Sequence, residues 1–147
     1  MCIRDSDMTP SMLELARKNL AMLGLTTVEF VQGEMERMPL PDASVDVVIS
    51  NCVVCLSPDK DAVFREALRV LAPGGRMHLS DMMREPGGAA DSSDLTAWAE
   101  CSAGAEPWDI YLTRLIQAGF SEVEMSKESR YPAEDGVFSA KVVARKP

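Results

Sequence analysis

The segment Val45-Asp46-Val47-Val48-Ile49 is an apolar run with a single aspartate inside it, and Ser50-Asn51-Cys52 follows it directly. Runs of this kind are typical of a parallel strand that is buried on both faces of a sheet. We therefore predict a strand over residues 45–49. Cys52 is expected just past its carboxyl end, which is the reactive edge of an α/β sheet.

Downstream of this strand, the sequence predicts a helix and a second strand. Ser57-Pro58 marks the start of the helix, because proline is favoured in a first helical turn. The apolar stripe of this helix is Val63, Phe64, Ala67, Leu68 and Leu71. Pro73-Gly74-Gly75 is predicted to end the helix, and residues 76–80 alternate as a strand.

Upstream, the sequence predicts one more helix and one more strand. Thr9 and Pro10 are typical of an N-cap and a first helical residue, and Gly24 can end the helix that they begin. A short strand is expected over residues 28–31. Residues 1–6 carry no clear strand signal, so we interpret them as a non-native start and expect the domain to span residues 7–147.

The remaining third of the chain continues the alternation of elements. We predict a loop over residues 83–95, a helix around Trp98, a helix from Glu106-Pro107 to Gly119, and strands over residues 122–126 and 137–144. Strands that alternate with helices and end in a strand pair predict an α/β fold with a doubly wound, mostly parallel sheet. Such a sheet binds its ligands at the carboxyl ends of the strands.

Composition excludes several classes of partner. The 147 residues include 15 basic and 23 acidic side chains, which gives a formal net charge of −8. Nucleic acids and anionic membranes attract basic surfaces, so neither is expected as a partner. No apolar run approaches the roughly 18–20 residues that span a bilayer. The four cysteines and the lack of an apolar secretory segment at the start favour free thiols in a reducing cytoplasm.

Several segments together resemble the arsenite S-adenosylmethionine methyltransferases. The most specific is Ser50-Asn51-Cys52-Val53 followed by Leu56-Ser57-Pro58-Asp59-Lys60, paired with Glu100-Cys101 and a downstream Gly104-Ala105. Supporting segments are Asp7-Met8-Thr9-Pro10, Leu40-Pro41-Asp42-Ala43-Ser44, Val63-Phe64-Arg65-Glu66-Ala67, Leu71-Ala72-Pro73-Gly74-Gly75-Arg76 and Ala118-Gly119-Phe120. The pairing with Glu100-Cys101 separates this family from the quinone and sterol methyltransferases.

The resemblance implies a class I methyltransferase of Rossmann-like fold, and it covers the chain from Asp7 to the C-terminus. The family's first strand and its glycine-rich cofactor loop have no counterpart here, so we expect residues 7–147 to be part of a catalytic domain. Cys55 stands where the family often has asparagine.

The family's chemistry implies roles for two cysteines. As(III) is a soft, thiophilic centre, so thiolates are its natural ligands. The resemblance implies that Cys52 and Cys101 are the catalytic cysteines and the metal ligands that hold arsenic. A third thiolate is expected from outside these residues or from glutathione. The arsenic lone pair then attacks the methyl carbon of S-adenosylmethionine, and glutathione or thioredoxin serves as reductant.

The resemblance also implies a set of cofactor-binding residues. Asp7 is expected to accept hydrogen bonds from the ribose hydroxyls, since a carboxylate offers two acceptor oxygens. Its neighbour Met8 is expected to pack on the adenine. The full set expected to bind S-adenosylmethionine is Asp7, Met8, Glu34, Met35, Glu36 and Asn51.

Plainer interpretations of these residues stay open. Buried free cysteines commonly act as small apolar side chains, and Asp7 can serve as a helix cap. Cys52 and Cys55 form a C-x-x-C pair, but a zinc site needs more ligands than this pair supplies, and we interpret Cys55 as a spare or packing thiol. Two other functions stay open for the chain, a methyltransferase of a quinone-like molecule and an inactive fragment that only binds arsenic.

Overall fold

The computed structural model of the chain describes residues 3–87, 96, 101–128 and 136–147. The strands are β1 Ile3–Asp7, β2 Val28–Gln32, β3 Val45–Asn51, β4 Leu71–Arg84, β5 Glu106–Pro107, β6 Ser121–Glu128 and β7 Val137–Arg145. The helices are α1 Pro10–Leu23, α2 Lys60–Val70 and α3 Trp108–Ala118, with a 3-10 turn at Val54–Leu56. The predicted helix around Trp98 lies outside the described residues.

The strands form two sheets. β1 and β2 pair in parallel as a two-stranded sheet. The second sheet has the order β3-β4-β7-β6, with β5 beside β4. β3 and β5 run parallel to β4, whereas β7 is antiparallel to both β4 and β6. Helix α1 connects β1 to β2 and helix α2 connects β3 to β4, which confirms the predicted α/β class with a mostly parallel sheet and a terminal strand pair.

The prediction that residues 1–6 contain no strand was wrong. Ile3–Asp7 pairs in register with Val28–Gln32, from Ile3 beside Val28 to Asp7 beside Gln32. The side chains of this strand are mostly exposed. A strand whose side chains face solvent is held by its backbone hydrogen bonds and shows no apolar alternation in the sequence.

Local signals placed the ends of α1 correctly. Thr9 is the N-cap, Pro10 is the first helical residue, and Gly24 ends the helix in the left-handed region at φ 63°. Helix α2 begins slightly later than predicted, because Asp59 rather than Ser57 caps it. The Asp59 carboxylate accepts a hydrogen bond of 2.9 Å from the backbone N–H of Ala62.

Strand β4 is longer than predicted at both ends, and it includes Pro73-Gly74-Gly75. The register with β3 shifts between Val45 and Val47, which pair with Leu71 and Arg76. Residues 72–75 therefore form a bulge. A Cβ atom at Gly75 would lie 2.8 Å from the Ala72 oxygen and 3.0 Å from the Asp46 oxygen, so the two strands approach too closely for a side chain there.

The prediction that β3 is buried on both faces was wrong for one face. Helices α2 and α3 pack against each other and against one side of the larger sheet, where Phe64 and Tyr111 meet edge to face at 5.2 Å. Val48 packs against this core. Val47 and Ile49 alternate to the other side, where they are 37% and 78% exposed.

The last elements follow the prediction closely. Glu106 and Pro107 pair with β4 as strand β5, and α3 begins one residue later. Gly119 ends α3 at φ 111°. The predicted strand pair is present as β6 and β7. Among the helices that the structure describes, none has the length and apolar character needed to cross a membrane.

Candidate functional site

Cys52 lies one residue past the carboxyl end of β3, as the sequence predicts. Its backbone N–H donates a 2.7 Å hydrogen bond to the carbonyl oxygen of Ser80 on β4. Its φ of 53° is in the left-handed region, which residues other than glycine and asparagine rarely adopt. Such a conformation costs on the order of 1 kcal/mol or more and persists where the surroundings fix it, often at a functional site.

Cys101 has the same unusual conformation, with φ 64°. The segment that follows it is held by Arg84, a buried side chain at the end of β4. The guanidinium donates one hydrogen bond to the carbonyl oxygen of Ala105 at 2.5 Å and another to that of Ser102 at 2.8 Å. A charged donor therefore anchors the segment that carries Cys101.

The two predicted cysteines come together, and a third joins them. The sulfur atoms of Cys52, Cys55 and Cys101 all lie within 4.8 Å of one another. The Cys101 thiol also donates to the carbonyl oxygen of Cys52 at 3.6 Å. Cys52 and Cys101 are half-buried, whereas Cys55 is fully buried.

Cys55 owes its place to the 3-10 turn that follows β3. Leu56 and Ser57 donate backbone hydrogen bonds to Val53 and Val54 at 3.0 Å each. The Lys60 ammonium closes the turn by donating to the carbonyl oxygens of Ser57 at 3.0 Å and Cys55 at 3.3 Å. The sequence indicated this arrangement only through the C-x-x-C spacing.

A buried carboxylate supports the thiol cluster from behind. Asp81 on β4 accepts hydrogen bonds from the Tyr111 hydroxyl at 2.9 Å and from the backbone N–H of Met82 at 3.0 Å. The same carboxylate interacts electrostatically with the Cys55 thiol. Burial raises the pKa of Asp81, and these hydrogen bonds oppose that rise. Sequence reasoning did not identify Asp81 or Tyr111 as part of the site.

Burial also acts on the thiols. It raises the pKa of Cys52 to about 11, helped by the neighbouring thiol of Cys101. It raises the pKa of Cys55 further, and the negative charge of Asp81 acts in the same direction. Cys52 and Cys55 are therefore neutral thiols at neutral pH in the free protein. The cluster offers soft sulfur ligands close together without a build-up of charge.

A cleft of about 280 Å³ separates β1 from β3, and it is lined by both strands. Ser6 and its neighbours line one wall, and residues 47–51 line the other. Met35 and Asn51, two of the predicted cofactor-binding residues, are among the lining residues.

The other predicted cofactor-binding residues lie outside the lining of this cleft. The Asp7 carboxylate, at the end of β1, accepts a 2.7 Å hydrogen bond from the backbone N–H of Thr9. This contact agrees with the plainer interpretation of Asp7 as a residue that stabilises the start of α1. Met8 is 64% exposed. Glu34 forms a single β-bridge with Arg37, and Glu36 accepts a hydrogen bond from the Ser57 hydroxyl.

The hydrogen bond of His78 is made with an arginine and not with the thiols. Its Nε2 accepts a 3.0 Å hydrogen bond from Arg76 on the same strand, in line with the structural role that its position in an alternating strand predicts. Within residues 3–87, 96, 101–128 and 136–147, the group able to hold a metal ion is the set of three cysteines.

Two arsenite methyltransferases match this chain over nearly its whole length. An arsenite methyltransferase of Halobacterium salinarum is 40% identical over 153 residues, covering 96% of this chain and 39% of that protein. The crystal structure of an arsenic(III) S-adenosylmethionine methyltransferase from Chlamydomonas reinhardtii superposes with a TM-score of 0.79 at 34% identity. That match covers 98% of this chain and 54% of the algal one.

A quinone-modifying enzyme matches a shorter stretch. The ubiquinone/menaquinone biosynthesis C-methyltransferase of Pasteurella multocida is 40% identical over 73 residues, covering 49% of this chain and 27% of that protein. The chain spans about two fifths of the length of the Halobacterium relative. The sequence profile of the methyltransferase domain matches residues 6–129. With that match over most of its length, the chain belongs to the methyltransferase domain family.

Proposed function

We propose that the chain belongs to an S-adenosylmethionine-dependent arsenite methyltransferase and holds the trivalent arsenic that is to be methylated. The observation that carries the proposal is the meeting of Cys52 and Cys101, whose sulfur atoms lie within 4.8 Å of each other. The names of the relatives that match over nearly the whole chain support it. Two half-buried thiols so close together suit a thiophilic substrate.

The work of the thiols is to bind arsenic and to fix its position. Each As–S bond replaces an As–OH bond of arsenous acid, and the thiol proton leaves with the hydroxide as water. Sulfur-bound As(III) keeps a lone pair that carries no proton, so this nucleophile needs no general base. The left-handed backbone at both cysteines and the anchor at Arg84 limit the movement of the bound atom. Correct placement alone is worth up to about 7–11 kcal/mol of a barrier in favourable cases.

Residues at the carboxyl ends of β1 and β3 fit S-adenosylmethionine. The Asp7 carboxylate suits ribose hydroxyls, and the exposed thioether of Met8 suits an adenine face. Asn51 and Met35 line the cleft between the sheets, and Glu34 and Glu36 follow β2. When bound, S-adenosylmethionine supplies an electrophilic methyl carbon. The chain's part is to bind the donor beside the thiols and to keep water out.

Methylation of a quinone-like molecule is the second candidate, favoured by the 73-residue match to a quinone C-methyltransferase. A substrate that is methylated at carbon does not need clustered thiols to bind it. The cysteine cluster therefore favours arsenic over a quinone-like substrate. A third candidate is a fragment that binds arsenic without methylating it.

The two functions are separated by one experiment. The reduced chain is incubated with methyl-labelled S-adenosylmethionine and either arsenite or a quinol, and the product that carries the label is identified. Label on arsenic is the expected result when S-adenosylmethionine is in large excess, because this chain is expected to bind it weakly. Label on the quinol supports the second candidate, and bound but unlabelled arsenic supports the non-catalytic fragment. A chain that neither binds nor methylates arsenite overturns the proposal.

The partners proposed for this reaction are small molecules. Arsenite or one of its thiol complexes is the substrate, and glutathione or thioredoxin returns the cysteines to the thiol state. The need for reduced cysteines favours a cytoplasmic location. The net charge of −8 argues against nucleic acid and anionic membrane surfaces as partners.

A further inference from the structure

We propose that Cys55 is a third sulfur ligand for As(III), so that this chain binds trivalent arsenic through Cys52, Cys55 and Cys101 together. The inference rests on the proposed function and deepens it, because it names the full ligand set. It also changes the interpretation of Cys55, which the sequence indicated to be a spare or packing thiol.

The three sulfur atoms are close enough to reach a shared centre. The three sulfur atoms lie within 4.8 Å of one another. Three sulfur atoms bound on one side of a pyramidal centre at about 2.3 Å, the Zn–S distance taken as a guide, lie roughly 3.3–3.5 Å apart. Small side-chain rotations therefore bring all three sulfurs onto one atom.

The fold holds Cys55 in place from two directions. Lys60 fixes the backbone of the turn through the Cys55 carbonyl oxygen, and the Asp81 carboxylate interacts electrostatically with the thiol itself. Asp81 is in turn held by the buried hydroxyl of Tyr111. A sulfur ligand supported in this way is a pre-formed part of the site.

The burial of the three sulfurs matches the shape of trivalent arsenic. As(III) binds three ligands on one side and keeps its lone pair on the other. Cys55 forms the fully buried floor of the cluster, whereas Cys52 and Cys101 are half-buried beside it. Zinc prefers four ligands in a tetrahedron, so three sulfurs suit arsenic better than zinc.

The binding step balances without an external base or oxidant. One As(OH)₃ reacts with three S–H groups to give As(S–Cys)₃ and three H₂O. Three As–O and three S–H bonds break, while three As–S and three O–H bonds form. Arsenic stays trivalent throughout. The chain therefore needs no glutathione sulfur to complete the coordination of arsenic.

The test compares the coordination of arsenic in matched variants, each with Cys2→Ser so that the remaining cysteine cannot contribute. Arsenite is added to the reduced chain without glutathione, and X-ray absorption at the arsenic edge counts the bound sulfurs. Native mass spectrometry gives an independent reading, namely one arsenic gained and three hydrogens lost. The variants are Cys55→Ala and Cys55→Ser. Cys55→Ser keeps a polar side chain of similar size beside Asp81, so it separates loss of the ligand from loss of folding.

The reference chain, which carries Cys2→Ser alone, is expected to show three sulfurs bound to arsenic. Both Cys55 variants are expected to show two sulfurs and one oxygen, with affinity at least about 10-fold weaker. Added glutathione is expected to restore a third sulfur in the variants and to change nothing in the reference chain. Three sulfurs in a Cys55 variant without glutathione, or two in the reference chain, overturn the inference and leave the proposed function standing. Failure of the reference chain to bind arsenite overturns both.

Discussion

The thiol of Cys101 donates a hydrogen bond to the main-chain carbonyl oxygen of Cys52 at 3.6 Å, although the two residues are 49 positions apart in the sequence. The contact joins the end of β3 to the segment that precedes β5. Both residues have positive φ angles, so each side chain is aimed by a backbone that most residues avoid. This pair is the geometric centre of the proposed arsenic site.

The anchor at Arg84 provides the first prediction. Arg84→Met removes the charged donor to the carbonyl oxygens of Ala105 and Ser102 and leaves these acceptors without it. We expect the free energy of unfolding to fall by about 2–3 kcal/mol, measured in urea. Arsenite affinity is expected to fall as well, because the segment after Cys101 is loosened.

A control for this prediction is Arg76→Met on the same strand, where the arginine is exposed and bonded to His78. It is expected to change stability by less than about 0.5 kcal/mol. Equal effects of the two substitutions would show that Arg84 does not anchor the site.

The buried carboxylate behind the thiols provides the second prediction. Tyr111→Phe removes the hydroxyl that donates to Asp81. We expect a loss of about 1–3 kcal/mol in the free energy of unfolding, because the buried carboxylate loses one of its hydrogen bonds. Thr113→Ala, which removes an exposed hydroxyl on the same helix, is the control. A Tyr111→Phe chain as stable as this control would contradict the account of Asp81.

The ion pair between Glu66 and Arg69 predicts a dependence on pH. Glu66 accepts hydrogen bonds from Arg69 at 2.7 and 2.9 Å and from the backbone N–H of Met38 at 2.7 Å. The bond from Arg69 holds the pKa of Glu66 below its usual value. A lowered pKa stabilises the fold above the unfolded-state pKa of about 4.3, and this contribution is lost as the pH falls through the lower folded-state value.

Glu66→Gln is therefore expected to reduce stability by about 1–3 kcal/mol at neutral pH, as measured in urea. The difference from the parent chain is expected to shrink as the pH falls below about 4. Glu14→Gln, at an exposed pair with Lys18, is expected to have an effect below about 0.5 kcal/mol. A difference that stays constant down to acid pH would contradict this assignment.

The cleft between the sheets predicts weak binding of S-adenosylmethionine by this chain. The first glycine in the sequence is Gly24, so residues 1–9 of this chain contribute no glycine-rich turn to the site. The roles proposed for Asp7 and Met8 concern the adenosine part alone. Calorimetric titration is expected to give a dissociation constant weaker than about 100 µM, or less than about 5.5 kcal/mol of binding free energy. Affinity in the low micromolar range would be the contrary result.

Much of the fold was readable from local sequence signals. Thr9-Pro10 and Gly24 fixed the ends of α1 because capping depends on residues at the cap itself. The run at residues 45–49 predicted β3 because hydrophobic pattern follows burial. The exposure of Ile49 could not be read, because it depends on which elements cover the second face of the sheet.

The sequence predicted only part of the site. The resemblance indicated Cys52 and Cys101, and the structure brings them together. The position of Cys55 beside them depends on the turn at Val54–Leu56. Asp81 and Tyr111 are 30 positions apart. Their hydrogen bond arises from the packing of α3 on β4, which no local pattern reports. Strand β1 escaped prediction because its pairing with β2 is made by the backbone.

The most direct test of the account is calorimetric titration of the reduced chain with arsenite, beside Cys52→Ser and Cys101→Ser. We predict that one arsenic binds per chain and that each substitution abolishes or strongly weakens binding, because each removes a sulfur of the central pair. Binding that survives in both variants at the parent affinity would contradict the claim that these two thiols hold trivalent arsenic.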